Sequence, residues 1–458
     1  MNTNHKLKQV QQKSIQTQIH KSDAYSFFNL LTSSKLLSVV DECTPLHRER
    51  IYTPTTTLSL FLAQAMNADS SCQNTVDRHA VERIFNGLTS CSTITGGYCK
   101  ARQRLPIDMV ASLVKQTGLL VSKQTPRQWQ WQDRPVKLVD GTTVSMPDTR
   151  ENQNAYPQQN AQKPGLGFPI ARIVGVICLS SGVILDAAIG KYKGKGASEH
   201  ALFRQLLHSF EAGDIVLADR YYSSYFLIAM LQERGVDIVF QQHAMRKTDF
   251  RTGEKIGVRD HVASWKKPKA KPDWMSQQQY DHYPDTLRVR ELKSGKKTLI
   301  TTLLSDKEIS KKEISNFYKQ RWHVELDLRN IKTTLGMEIL SCKTPEMNEK
   351  EMWVYFLAYN LIRLVMAQAA VYSQIMPREL SFKHTLQIWL SWSITYSQGM
   401  KNIQDLLVMI AQIRVGNRAG RIEPRAVKRR SKPYSLLMQP RDEARADILE
   451  KGHPKKLK

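Results

Sequence analysis

The sequence predicts an α/β protein: a mixed sheet covered by helices, interrupted by a strand-rich insertion, with helical regions at both ends. Three observations point there. Apolar residues recur at spacings of three and four through the first 125 residues or so; short β-branched runs alternate with helical stretches over 136–243; and that alternation breaks off at 244–297 before resuming.

Composition bounds the rest. A chain of 458 residues is too long for one ordinary core and implies two to four domains. A net charge of +25 and an isoelectric point near 9.7 exceed what solubility requires, so a polyanion is the expected partner, nucleic acid before membrane. The opening residues are polar and Gln-rich, without the apolar stretch of a signal peptide. The most apolar helix, 353–372, is interrupted by Asn360, Arg363 and Gln368 and reads as a buried helix of a soluble protein. Six cysteines without CxxC pairs indicate neither a zinc ribbon nor a disulfide framework; they suit reduced thiols in a cytoplasmic, nucleoid-associated protein.

Taken in order, 24–42, 56–67, 74–88 and 106–120 show helical spacing, with Thr, Asn or Pro near their starts. Lys100, Arg102 and Arg104 near a helix junction suit a DNA-binding head, although plain helical packing explains the pattern equally well. A polar stretch between Pro126 and Pro135 reads as a linker. The run 136–147, bounded by Pro135 and Pro147, is a strand carrying Asp140. Residues 171–192 read as two strands joined by a tight turn at Ser180-Ser181-Gly182, and 198–213 as a helix ending at Gly213. A short apolar run then ends in Asp219, as a buried central strand should with an acid at its carboxyl end, and a helix and a further strand follow to 243. The basic segment 244–297 carries Trp265 and Trp274 and is expected to touch a polyanion. Residues 297–305 resume the sheet and 311–336 form a helix; 350–372 and 385–413 form two more, and the chain ends in a basic, flexible tail.

On a helix, Tyr318, Arg321, Glu325 and Lys332 fall within an arc of roughly 60°, with Asp327 on the opposite side. A carboxylate among cations on one face is often a solvated helix laced with ion pairs. Asp140, Asp219 and Glu325, however, come from three distant parts of the chain. In a ribonuclease-H-like sheet the first and fourth strands are neighbours and a late helix crosses them, which would bring the three acids together. Like charges that close require cations between them, and hard oxygen ligands without His or Cys favour Mg²⁺, with Mn²⁺ able to substitute, over zinc. Two such ions can drive an in-line phosphodiester displacement.

These residues give the chain a specific likeness. It resembles a DDE transposase of the bacterial insertion-sequence 4 family, whose late helix carries Y-x2-R-x3-E-x6-K; Tyr318, Arg321, Glu325 and Lys332 meet every position, and DGTTV at Asp140 and LADRYY at Asp219 match the two earlier signatures. The likeness covers about 136–336 well. It implies that Asp140, Asp219 and Glu325 hold two Mg²⁺ ions, that Arg321 and Lys332 meet phosphates, that Tyr318 contacts a terminal phosphate or positions the strand, and that an aromatic of the insertion, Trp265 first and Trp274 second, stacks on a flipped base. Trp322 is expected in the core. Asp148 lies outside the strand, Asp214 is expected to cap or face solvent, and Lys191, Lys193 and Lys195 to lie along a DNA groove, since the run they occupy lacks the GK[ST] ending of a phosphate loop.

The expected organisation is a helical DNA-binding region at 1–125, a ribonuclease-H-like core at 135–243, the insertion at 244–297, the core's second part with the Glu helix at 298–345, a helical region at 346–415 and a basic tail at 416–458. The expected activity is cut-and-paste transposition: binding of terminal inverted repeats in double-stranded DNA, pairing of two ends by a homodimer, and Mg²⁺-dependent cleavage and strand transfer, with no membrane involved. The alternatives are a transposase-derived DNA-binding protein without cleavage, and a ribonuclease-H-like nuclease or resolvase.

Overall fold

A computed structural model describes residues 51–161, 163–396, 403–415 and 439–452. The helix expected at 24–42 and most of the tail expected at 416–458 lie outside them.

The described N-terminal part is helical: α1 Pro54–Met66, α2 Cys72–Phe85, α3 Gly96–Arg104 and α4 Ile107–Lys123. Thr53 and Ser71 cap α1 and α2 by accepting from the backbone amide of the third residue of each helix, and Pro54 supplies the preset φ of a first helical position. Arg102 on α3 points inward rather than toward a DNA groove. It is buried, with its guanidinium 4.5 Å from the Phe61 ring centroid and 5.3 Å from that of Tyr98.

The mixed sheet expected from the sequence follows. Its elements are β1 Val136–Ser145, α5 Arg150–Ala155, β2 Ile170–Cys178, β3 Ile184–Lys191, α6 Glu199–Gln205, β4 Ile215–Ala218, α7 Tyr225–Glu233, β5 Asp237–Gln241, β6 Glu254–Gly257, β7 Asp260–Lys266, α8 Gln277–His282, β8 Thr286–Ser294 and β9 Lys297–Thr301. Nine strands run in the order β3-β2-β1-β4-β5-β9-β8-β7-β6. Only β1–β4 and β4–β5 pair in parallel. Residues 244–297 therefore extend the central sheet instead of standing apart, because β8 pairs with β9 and β9 with β5. The helix expected over 198–213 stops at Gln205. A short 3-10 turn and a loop follow, in which the Asp214 carboxylate accepts from the Glu211 amide and pairs with Lys137 of β1 at 2.5 Å. Asp214 thus sits in the core between β1 and β4, not in solvent.

The remaining helices are α9 Lys311–Lys319, α10 Trp322–Arg329, α11 Pro345–Tyr372, α12 Phe382–Tyr396, α13 Ile403–Ala411 and α14 Arg441–Lys451. The single helix expected over 311–336 is three pieces. Bonds of the i→i+3 type at Gln320, Arg321, His323 and Val324 tighten the chain between α9 and α10, and a π-helical turn, Asn330–Thr334, ends it. Helix α11 is long and apolar enough to cross a membrane, but 83% of its most apolar stretch is buried inside the protein, against α1, α4, α12 and α13. Asn360, read from the sequence as an interruption, satisfies buried backbone: it accepts from Ile184 N at 2.8 Å and donates to Ile184 O at 2.8 Å and Val114 O at 3.1 Å. Gly118 on α4 lets that helix approach β3, since a Cβ there would meet Ile184 O at 2.2 Å.

Asp327 of α10 is fully buried and ties the helix to the rest of the fold. Its carboxylate accepts from Arg363 at 2.5 Å, from Arg378 at 2.7 and 2.8 Å and from the Tyr359 hydroxyl at 2.9 Å. Replacing Asp327 by Ala leaves two largely buried guanidinium groups without their shared anion, and is expected to destabilise the protein by about 3–5 kcal/mol. A lowered urea midpoint would show this; a change below about 1 kcal/mol would contradict a structural role for the pair.

Candidate active site at the ends of two parallel strands

The site follows from the pairing of β1 with β4. Their register sets Val136 opposite Ile215, Lys137 opposite Val216 and Leu138 opposite Leu217. Asp140 and Asp219 each lie two residues beyond the last of these pairs, so two carboxylates stand level where β4 ends and β1 continues. Both acids are fixed locally: the Gly141 amide donates to Asp140 Oδ1 at 2.8 Å and the Tyr221 amide to Asp219 Oδ1 at 2.8 Å. Helix α10 packs against β1 and brings the third acid. Arg321, at its start, donates to Glu325 Oε1 at 2.5 Å and lies 3.7 Å from Asp140 Oδ2.

The sequence placed three acids at one point. The structure sets Asp140 and Asp219 side by side and joins Glu325 to Asp140 through the Arg321 guanidinium. Among the described residues no three His, Cys, Asp or Glu side chains form a ready-made metal cluster. The donor set nevertheless suits a hard divalent ion, being all carboxylate oxygen and poor in compensating cations. Burial pushes the Asp140 carboxyl up to about 7, and Asp219 and Glu199 add to the rise against the opposing pull of the Gly141 amide and Arg321. A cation there would relieve the same stress.

Tyr318 lies on α9 and is buried, so it is less available to DNA than a one-helix face would make it. Burial raises its phenol to about 12, and its hydroxyl lies near Arg321 and the Gln241 backbone. Lys332 falls in the π-helical turn, 3.8 Å from Glu338 and partly exposed. Trp265 does not offer a stacking face. It is 2% exposed, donates its indole N–H to Glu291 at 2.6 Å and has the Arg246 guanidinium 3.7 Å from its ring centroid, so it belongs to the core under β7 and β8. Trp274 is 41% exposed, with Arg204 stacked 3.8 Å from its centroid. Trp322, expected in the core, is 58% exposed; Val324, Asp327 and Ile331 take the inward positions. Asp148 pairs with Arg441 of α14, away from the strand ends. Asp327 is set apart from Glu325 by its burial between two arginines.

One acid escaped the sequence reading. Glu199, the first residue of α6, reaches back over Gly141, where a Cβ would meet its Cδ at 2.4 Å and either carboxylate oxygen at 2.7 Å. The signal lay in the glycine, since a glycine inside a strand marks a close approach.

Residues 131–361 match the family model described as "Transposase DDE domain". Transposase InsG for insertion sequence element IS4 of Escherichia coli (strain K12) is 28% identical over 346 residues, covering 73% of this chain and 76% of that protein. A cryo-EM structure of a piggyBac transposase synaptic complex with hairpin DNA aligns over 87% of each chain at 10% identity and a TM-score of 0.42. The chain belongs to the DDE transposase family. Within it, the chain is of the insertion-sequence 4 type, as its Y-x2-R-x3-E-x6-K residues implied.

The raised Asp140 carboxyl gives a pH dependence in metal-free protein. Folded Asp140 keeps its proton to about pH 7, whereas in the unfolded chain an aspartate releases it near pH 3.9. Between those values the folded state binds the extra proton, so stability falls as pH rises, and the penalty is complete above pH 7. Asp140→Asn removes it. In EDTA the variant should be more stable than the parent at pH 8 by roughly 2–4 kcal/mol and equal to it below about pH 4. Denaturant melts at both pH values measure this, and a stability difference that does not change with pH would contradict it.

Proposed function

We propose that this transposase binds the terminal inverted repeats of its own insertion element as a homodimer, and cuts and rejoins DNA at a centre formed by Asp140, Asp219 and Glu325. The observation that carries the reading is the level placement of Asp140 and Asp219 at the ends of β1 and β4, with the Arg321–Glu325 pair across them. The match to an insertion-element transposase supports it. When bound by these carboxylates, two Mg²⁺ ions would supply an activated water or hydroxyl and a stabilised leaving oxygen.

The chain's own residues supply the rest. Asp140 and Asp219 bring negative charge to a partly buried point that a cation must neutralise. Arg321, with its fork already aimed at the acids, is placed to hold a phosphate oxygen bidentately, and Lys332 a more distant one as a point charge. Lys191 at the end of β3 and Lys193 and Lys195 just beyond it are exposed and would extend the basic surface along a duplex. Trp274, not Trp265, is the aromatic of the insertion with an exposed ring to offer a displaced base. The exchange of one phosphodiester for another by a 3′ hydroxyl requires no nucleotide cofactor. A DNA-binding derivative without cleavage would have no reason to retain all three acids and Lys332.

Glu325→Gln is expected to abolish Mg²⁺-dependent cleavage and strand transfer on an element-end duplex while leaving end binding within a few-fold of the parent. Substantial residual cleavage would remove Glu325 from the centre. For Lys332→Ala, the slope of log binding constant against log salt should flatten by about 1, and an unchanged slope would exclude a phosphate contact.

A further inference from the structure

Glu199 stands where no family signature in this sequence places an acid. Ser198 caps its helix by accepting from the Ala201 amide at 3.2 Å, which fixes the start of α6 beside β1. From there the side chain lies on Gly141, next to Asp140, where a Cβ would collide with it. Its Oε2 accepts from the Tyr222 hydroxyl at 3.2 Å, and Tyr222 is a fully buried residue three positions after Asp219. The carboxylate is thus tethered to the same two chain segments that present Asp140 and Asp219.

A simple structural role would give Glu199 a cationic partner. The charge of Arg172 on β2 acts on it, yet no Lys, Arg or His among the described residues forms a salt bridge with it. Arg172 is engaged elsewhere, donating to Ala197 O at 2.7 Å and stacking 4.7 Å from the Tyr192 ring centroid. Burial raises the Glu199 carboxyl and Asp219 adds to the rise, while Arg172 and the Tyr222 hydroxyl oppose it. Its carboxylate, held by the Tyr222 hydroxyl and by no salt bridge, lies on Gly141 beside Asp140.

We propose that Glu199 is a fourth carboxylate of the metal centre, contributing to the affinity for the divalent ion held by Asp140 and Asp219, and that Gly141 is glycine so that this carboxylate can reach it. The inference rests on the reading of that centre given above. Two variants separate charge from shape. Glu199→Gln keeps the length of the side chain and an oxygen that accepts from Tyr222, but removes the charge. Gly141→Ala keeps every acid and forces the carboxylate away, at little cost to the fold because the atoms it meets are the end of a flexible side chain.

The experiment is Mn²⁺ binding to the full-length chain without DNA, followed by the electron paramagnetic resonance of free Mn²⁺, with urea melts in EDTA as the check on folding. Glu199→Gln should weaken Mn²⁺ binding by about tenfold or more, and Gly141→Ala should weaken it in the same direction. Mn²⁺ binding by Glu199→Gln within twofold of the parent, while Asp140→Asn binds weakly, would overturn the role of Glu199 and leave the centre standing. Unchanged binding by Asp140→Asn as well would overturn both.

Discussion

The Asp327 carboxylate, buried between Arg363 and Arg378, is the contact on which the placement of the candidate site depends. Charged groups that deep persist only when paired and hydrogen-bonded, and here all three are. Arg378 also donates to the carbonyls of Cys178 and Leu179, and the Tyr359 hydroxyl donates to Asp327 while lying 2.9 Å from the carbonyl of Gly182, so the network grips the turn of the β2–β3 hairpin. Gly182, at φ +81°, leaves room for the Arg363 guanidinium, which a Cβ would meet at 2.8 Å. Helix α10, the hairpin and α11 are thereby fixed to one another. Glu325 lies two residues from Asp327 on the same short helix, and faces the strand ends because Asp327 faces the core.

At the strand ends the logic is reversed. Acids are gathered with too few cations, and the structure offers Arg321 as their main local counterion. A fold that needed only stability would separate such charges or pair each with its own base, as it does for Asp214 with Lys137 and for Asp260 with Arg290. The contrast between those separate buried pairs and acids that share one arginine supports the proposed reading of the cluster as a place that holds charge for a cation.

Much of this was legible in the sequence because the relevant signals are local. The apolar run ending at Asp219 and the β-branched run through Asp140 are read from composition, and the side-by-side placement follows from a parallel pair. The spacing of Arg321 and Glu325, four apart, survives the break in the helix because Arg321 is the N-cap of α10 and Glu325 lies in its first turn. Tyr318 and Lys332 fared differently: a uniform 100° per residue cannot foresee the tightening at Gln320 or the π turn at Asn330, each of which rotates what lies beyond it. Trp265 was misjudged since a tryptophan in a basic, aliphatic-poor segment reads as surface, while its burial depends on Glu291 and Arg246, partners supplied by β8 and by the loop after β5. Glu199 was missed for the same reason: Gly141 signals a close approach, but the residue that makes it lies about 60 residues later in the chain.

The central claim is that Asp140, Asp219 and Glu325 form one divalent-metal centre. Anomalous diffraction from crystals of the full-length chain grown with Mn²⁺ and an element-end duplex tests it most directly. Manganese peaks coordinated by both aspartates are expected, with Glu325 turned from Arg321 to the metal and the guanidinium against a phosphate. Manganese bound elsewhere, or the Arg321–Glu325 pair unchanged beside metal-free aspartates, would contradict it.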